Sequence, residues 1–192
     1  EEILHLMEMD VYTANLNTGT VNLNEEFTVP SSTRALTLFM QDQKAGKDTS
    51  VPPSRFHNVY NATTNAKNED ALTLQNYQIE YGNMTKPTIR FESKFDNTTQ
   101  QLYQRYIQTA LESGQYFQLT GAETFEEWME RGPIFHETFV KSADNLATRV
   151  HVVGQYGTVT GNCRAFLIAH YSRTIKITRQ NGLVVNVQSL NV

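Results

Sequence analysis

One-by-one alternation of apolar and polar side chains recurs along this chain, and it commits the polypeptide to sheet before any other feature is weighed. Successive side chains of a strand leave on opposite faces, so a period of two buries one face and wets the other. Residues 3–14 set Ile3, His5, Met7, Met9 and Val11 against Leu4, Leu6, Glu8, Asp10 and Tyr12, with the heavier burial expected in the first half. Residues 20–29 alternate Val21 and Leu23 with Asn22 and Asn24 and stop at Val29-Pro30. "RALTLFM" (34–40), "ALTLQNYQIEY" (71–81), "TIRFESKF" (88–95), "IFHETFV" (134–140), "TRVHVVGQY" (148–156) and "RAFLIAHYSRTIKI" (164–177) are further strands. Asn181-Gly182 then supplies the turn of a two-residue hairpin. The arm beyond it should turn Leu183, Val185 and Val187 to the same side as Ile175 and Ile177, as the closing edge of a sandwich core.

In one region the apolar spacing itself changes. Between 97 and 131 the apolar period changes to helical: Tyr103, Tyr106, Ile107, Ala110 and Leu111 share one face, with Asp96 or Asn97 as cap and Gly114 as stop. A second short helix starts at Thr124 with Glu127 three residues on, a capping box, carries Phe125, Trp128 and Met129 as its stripe, and ends at Gly132-Pro133. Residues 41–70 are a polar stretch anchored by Val51, Phe56, Val59 and Tyr60, long enough that a functional loop is expected there. Strands do not alternate with helices, so a parallel sheet is excluded. The class is all-β: an antiparallel eight-stranded jelly-roll sandwich with a small helical insertion, one domain over 1–192.

Charge and cysteine content narrow the functions. The net charge of −4 offers no broad basic field, so nucleic acid is not the expected main partner. No apolar run reaches the roughly 20 residues that a transmembrane helix needs. The single cysteine, Cys163, leaves no internal disulfide and no thiolate cluster for zinc, so stability must come from packing. His5, His57, His136, His151 and His170 are scattered without a His-x-His pair, which speaks against a metal-binding cupin. His136-Glu137 sits in a strand rather than on the helix a zinc protease uses, and reads as polar residues on a half-exposed wet face. There is no Gly-x-Ser-x-Gly elbow and no glycine-rich phosphate loop. No catalytic, cofactor-binding or metal residues are assigned.

The last third carries a resemblance. "PIFHETFV", then "DNLATRVHV", then "CRAFLIAHYSRTIKITRQNGLVV" resembles the end of the second jelly-roll in double jelly-roll major capsid proteins of large DNA viruses, virophages and Polinton-like elements. Ala169, Tyr171, Ile175, Lys176, Ile177 and Gly182 fall in that family's order. Upstream, "RALTLFMQD" and "ALTLQNYQIEYG" look like two of its strands. Ser172 departs from it, standing where the large-virus members have Asn, as do the aliphatic arm after Gly182 and the larger helical insert.

The resemblance implies the C-terminal jelly-roll of a longer capsid protein, following an N-terminal one. It implies three subunits in a pseudo-hexameric capsomer, neighbouring capsomers and penton or minor capsid proteins as partners, and a place in the virion after assembly in host cytoplasm or nucleus. It also implies a structural protein with no enzymatic activity and no cofactor. Candidate subunit contacts are Phe56, Val59 and Tyr60 in the long loop and Tyr103, Tyr106 and Trp128 in the helical insert; for Trp128, stapling the helices to the sandwich weighs equally. A carbohydrate-binding or adhesion β-sandwich is the alternative class.

Overall fold

The computed structural model describes residues 2–16, 22–42, 60–61, 66–67, 74–92, 100–117, 124–125, 127–128, 134–139, 148–156, 163–181 and 183–190. In chain order the elements are β1 (Glu2–Leu16), β2 (Asn22–Thr28), β3 (Thr33–Asp42), β4 (Tyr60–Asn61), β5 (Ala66–Lys67), β6 (Leu74–Tyr81), β7 (Met84–Glu92), α1 (Gln100–Phe117), β8 (Phe135–Thr138), β9 (Arg149–Tyr156), β10 (Cys163–Gln180) and β11 (Leu183–Leu190). One sheet runs β1-β10-β3-β8 with β11 added on β10; the other runs β2-β9-β6-β7, and among the described residues β4 and β5 pair with each other alone. Setting aside β4, β5 and β11 and renumbering the eight strands that remain, the sheets read 1-8-3-6 and 2-7-4-5, the order of a jelly-roll. Every pairing is antiparallel.

Alternation fills the space between the sheets. On β3, Leu36, Leu38 and Met40 are buried, and their register partners on β10, Ala169, Leu167 and Ala165, are buried beside them. Tyr77, Ile79 and Tyr81 of β6 and Val150 and Val152 of β9 close the core from the opposite sheet, with Leu23 of β2. The β2–β3 crossing between the sheets is held at Thr33, whose amide and hydroxyl both donate to the Pro30 carbonyl, at 3.0 and 2.7 Å. A period of two thus builds both layers from the sequence directly.

Four expectations are corrected. β1 is buried in its second half, not its first: Ala14 and Leu16 are core, whereas Ile3, Leu4, Leu6 and Met7 are exposed. The cause is topological, because β10 carries 18 residues and β1 follows it past the rim of the sandwich, where among the described residues no sheet faces it. For the same reason the terminal hairpin lies outside the core, with Leu183 72% and Val187 59% exposed. A register shift after Thr178 also changes which residues share a face: Val187 still opposes Ile177, but Leu183 opposes Gln180 and Val184 opposes Arg179. β7 starts at Met84 rather than Thr88, following a turn in which Gly82 takes φ 61°.

The helix is corrected in both extent and face. α1 runs through Gly114 to Phe117, and its cap positions Asp96 and Asn97 lie outside the described residues. Of its expected apolar face only Tyr106 docks: Leu111 is 68% exposed, and Tyr103, Ile107 and Ala110 are exposed too. The half-buried positions are instead Arg105, Tyr106, Gln108, Thr109 and Glu112. The docked row is polar because β8 is an edge strand that needs acceptors. The His136 amide donates to Thr109 Oγ1 at 3.4 Å and the Thr138 amide to Glu112 Oε2 at 2.8 Å, so helix side chains take the bonds a further strand would have made.

Candidate functional site

Two buried polar groupings lie on opposite faces of β8. Toward the sandwich interior, Glu137 is 1% exposed and accepts hydrogen bonds from the Tyr77 hydroxyl at 2.6 Å and from Arg105 Nη1 at 3.0 Å. Burial pushes the Glu137 carboxyl up, against the pull of Tyr77 and Arg105; burial beside that carboxylate pushes the Tyr77 phenol well above its ordinary value. The trio joins β6, β8 and α1: the Tyr77 bond crosses between the sheets and the ion pair ties the helix to β8. Removing one charge would strand the other in low dielectric.

On the outward face, register places Thr37 opposite His136 on one side and Ile168 on the other, with His170 two residues along β10. Thr37 Oγ1 lies 2.8 Å from His136 Nδ1 and 2.8 Å from His170 Nε2, and the two rings are 5.3 Å apart. A hydroxyl has one proton, so Thr37 can donate to only one imidazole and must accept from the other. Burial lowers both histidines to about 4, His136 also through the charge His170 would carry; Glu112 pulls His136 the other way. The sequence expectation of a half-exposed His136-Glu137 is therefore overturned, since both side chains are at least 98% buried once β8 is covered by the opposite sheet on one face and flanked by α1 at its edge. Strand spacing could not show this, because His170 and Thr37 meet His136 only through pairing across 99 and more residues.

The helical insert folds as its capping box dictates. The Thr124 amide donates to Glu127 Oε2 at 2.8 Å, and the Glu127 amide donates back to Thr124 Oγ1 at 3.2 Å. Donation from the Thr124 amide, and from its hydroxyl at 3.0 Å, holds the Glu127 carboxyl below its usual range. Trp128 is only 3% exposed, stacks edge-on to Phe135 at 5.7 Å and donates its indole N–H to the Ile134 carbonyl, so it staples the insert to the core. Tyr106 joins that cluster through Trp128 and Phe125, while Tyr103, against Phe125 at 5.2 Å, remains half exposed. Phe56 and Val59 lie outside the described residues; the backbone of Tyr60 pairs with Lys67 in the small β4–β5 ladder. Among the described residues no three of His, Cys, Asp and Glu come together as a metal site.

The most conspicuous surface is the arm that leaves the sandwich: the first half of β1, the second half of β10, and β11. Arg173 of β10 ties it crosswise, donating from Nη1 to Glu8 of β1 at 3.3 Å and from Nε to Ser189 of β11 at 3.1 Å. At its root a cleft of about 270 Å³ is lined by Glu8, Ser31, Ser32, Tyr171, Arg173 and Ser189. Burial, then Glu8 and Asp10, push the Tyr171 phenol up to about 12, so it is a donor at any physiological pH. Past that cleft both faces of the arm carry exposed apolar groups, Leu4, Leu6, Val184 and Val187 on one and Ile3 and Met7 on the other, and exposed Met9 and Val11 continue the second face back over the sandwich. Contiguous apolar surface left exposed in this way marks a candidate contact site. Its residues alternate as those of core strands do, so alternation alone does not locate it.

No protein-family model and no curated protein matches the sequence. Among solved structures, the chain is similar to a chain of the PBCV-1 virus capsid, with a TM-score of 0.52 and 8% identity over 96% of this chain and 51% of that one. It is similar also to a chain of the Sputnik virophage, with a TM-score of 0.51 and 14% identity over 98% of this chain and 38% of that one. At such identities the likeness is one of fold: an all-β jelly-roll of the kind found in those virus particles. The chain spans about half or less of the length of the chains it matches.

Proposed function

We propose that this chain is a structural element of a viral capsid, one jelly-roll of a longer major capsid protein, which assembles as trimers into pseudo-hexameric capsomers of the virion. The carrying observation is the agreement in fold with two virus-particle chains over at least 96% of this chain, while the chain covers about half or less of each of them. Such a relationship is what a single roll of a two-roll subunit gives. Function here is assembly, and its chemistry is surface area and shape rather than reactive groups. The exposed arm, with Tyr103 on the helical insert, supplies uncovered apolar surface for the N-terminal roll, for a neighbouring subunit in a cyclic trimer, and for adjacent capsomers or penton and minor capsid proteins. Sedimentation velocity and negative-stain electron microscopy at increasing concentration provide the test: a trimeric ring is expected, and a strict monomer at every concentration would overturn trimer formation by this chain.

A further inference from the structure

The arm has two edges, and among the described residues no strand pairs with the far side of either. β1 bonds to β10 along its whole length and β11 bonds to the other side of β10 over Thr174–Gln180. Natural edge strands are usually blunted by brevity, by Lys or Pro, or by a bulge. β1 is long, at 15 residues, keeps an unshifted register and has no Lys, Arg or Pro between Glu2 and Leu16; its charges are Glu2, Glu8 and Asp10, each engaged by a side chain of its own β10. β11, eight residues from Leu183 to Leu190, contains no charged residue and no Pro, and its bulge lies at its start. Both edges therefore keep their unpaired backbone donors and acceptors open to a strand from outside.

We propose that the β11 edge of one copy pairs with the β1 edge of the next, joining the arms of neighbouring chains into one continuous sheet. The inference rests on the trimeric reading above and names the contact that makes it. Three observations select a second copy and this pairing. The edges lie at the same level of the arm, since Glu2–His5 and Val187–Leu190 flank the same four residues of β10, Thr174–Ile177. They lie on opposite sides of it, so joining unlike edges is a head-to-tail contact, the kind that closes a ring. Their charges also fit. β1 carries Glu2, Glu8 and Asp10, of which Glu2 and Glu8 are paired to Arg179 and Arg173 of its own β10, and Asp10 accepts from Tyr171. Set against another β1 these carboxylates would crowd one another, whereas against β11 they meet a strand with no charge. Apolar side chains then continue across the junction on both faces, Leu4 and Leu6 on the side of Val184 and Val187.

Disulfide trapping by mixing tests the pairing. In a Cys163→Ser background, one protein carries Leu4→Cys or Leu6→Cys and the other Val187→Cys, positions that share a face of the arm. Under mild oxidation, covalent dimer is expected in the mixture at 10-fold or more over either protein alone. Dimers from a β1 cysteine protein alone would show like edges meeting and overturn the proposal. Trimers by sedimentation with no cross-link in the mixture would overturn it and leave the trimeric reading standing; a monomer throughout would overturn both. As a check that needs no thiol, Val184→Lys/Val187→Lys should weaken association at least 10-fold with the far-ultraviolet spectrum and melting temperature unchanged. Undiminished association would also overturn the pairing.

Discussion

The Tyr77 hydroxyl donates to Glu137 Oε1 at 2.6 Å, one sheet reaching the other through a side chain that is 1% exposed. That carboxylate also carries the anchor of α1, through Arg105. Arg105→Ala should therefore cost more than a surface ion pair does: about 3 kcal/mol, because the glutamate is left buried without its cation, while Thr109 and Glu112 still hold the helix on the β8 edge. Glu137→Gln keeps an acceptor for Tyr77 and should cost less. Chemical denaturation of the two variants checks the order; equal and small losses would show that the ion pair bears no load.

Thr37 sets the acid limit of the fold. Both imidazoles bonded to it have values lowered to about 4 from an ordinary 6.5, so the unfolded chain binds protons that the folded chain refuses. Their contribution is whole above pH 6.5 and is lost as pH falls from there through 4, roughly 3 kcal/mol for one imidazole and less than twice that for the pair. Glu137 runs the other way: its raised value makes its contribution complete at low pH and erodes it as pH rises through the folded value. Melting temperature against pH should thus fall below pH 6.5, the fall should be steeper in Glu137→Gln, and it should flatten in His136→Gln/His170→Gln. A wild-type curve level from pH 6.5 to 4 would remove the histidines from this role.

The two periods in the sequence account for what was legible and what was not. Strand alternation is a local property, so β3, β6, β9 and the Asn181 turn, with φ 52°, stand where the pattern puts them. The capping box at Thr124 is likewise local. What failed depended on partners far along the chain. Alternation cannot tell a strand facing another sheet from one that has run past its rim, which is why the first half of β1 and the hairpin looked like core. Helical periodicity cannot tell an apolar stripe that docks from one that does not when the dock is a strand edge demanding acceptors. His136 and Glu137 looked wet because a four-residue strand shows nothing of the helix and sheet that enclose it.

Trp128 offers a direct reading of the insert, being the only tryptophan in the chain. Buried against Phe135 and Tyr106, it should emit to the blue of free indole and shift red in one step with unfolding. Trp128→Phe retains ring contacts but loses the bond to Ile134, and should cost about 1 kcal/mol; Trp128→Ala should cost about 3 to 5 kcal/mol. An emission that moves before the far-ultraviolet signal would mean the insert detaches independently of the sandwich.

Ending the chain at Asn181 separates folding from assembly. The removed strand exposes Leu183, Val184 and Val187 at 72, 53 and 59%, so little apolar burial is lost with it, and the sandwich core is untouched. What it does remove is the only described cover for the Thr174–Gln180 edge of β10, and with it the edge proposed to meet the next copy. The shortened chain should keep its near-ultraviolet spectrum and melt within about 5 °C of the full chain, since the lost strand bonds are replaced by bonds to water. In sedimentation it should fail to form trimers at concentrations where the full chain does. Loss of cooperative unfolding on this truncation would instead place β11 among the strands that hold the core, and the arm would have to be read as part of the fold rather than as a surface the fold holds out.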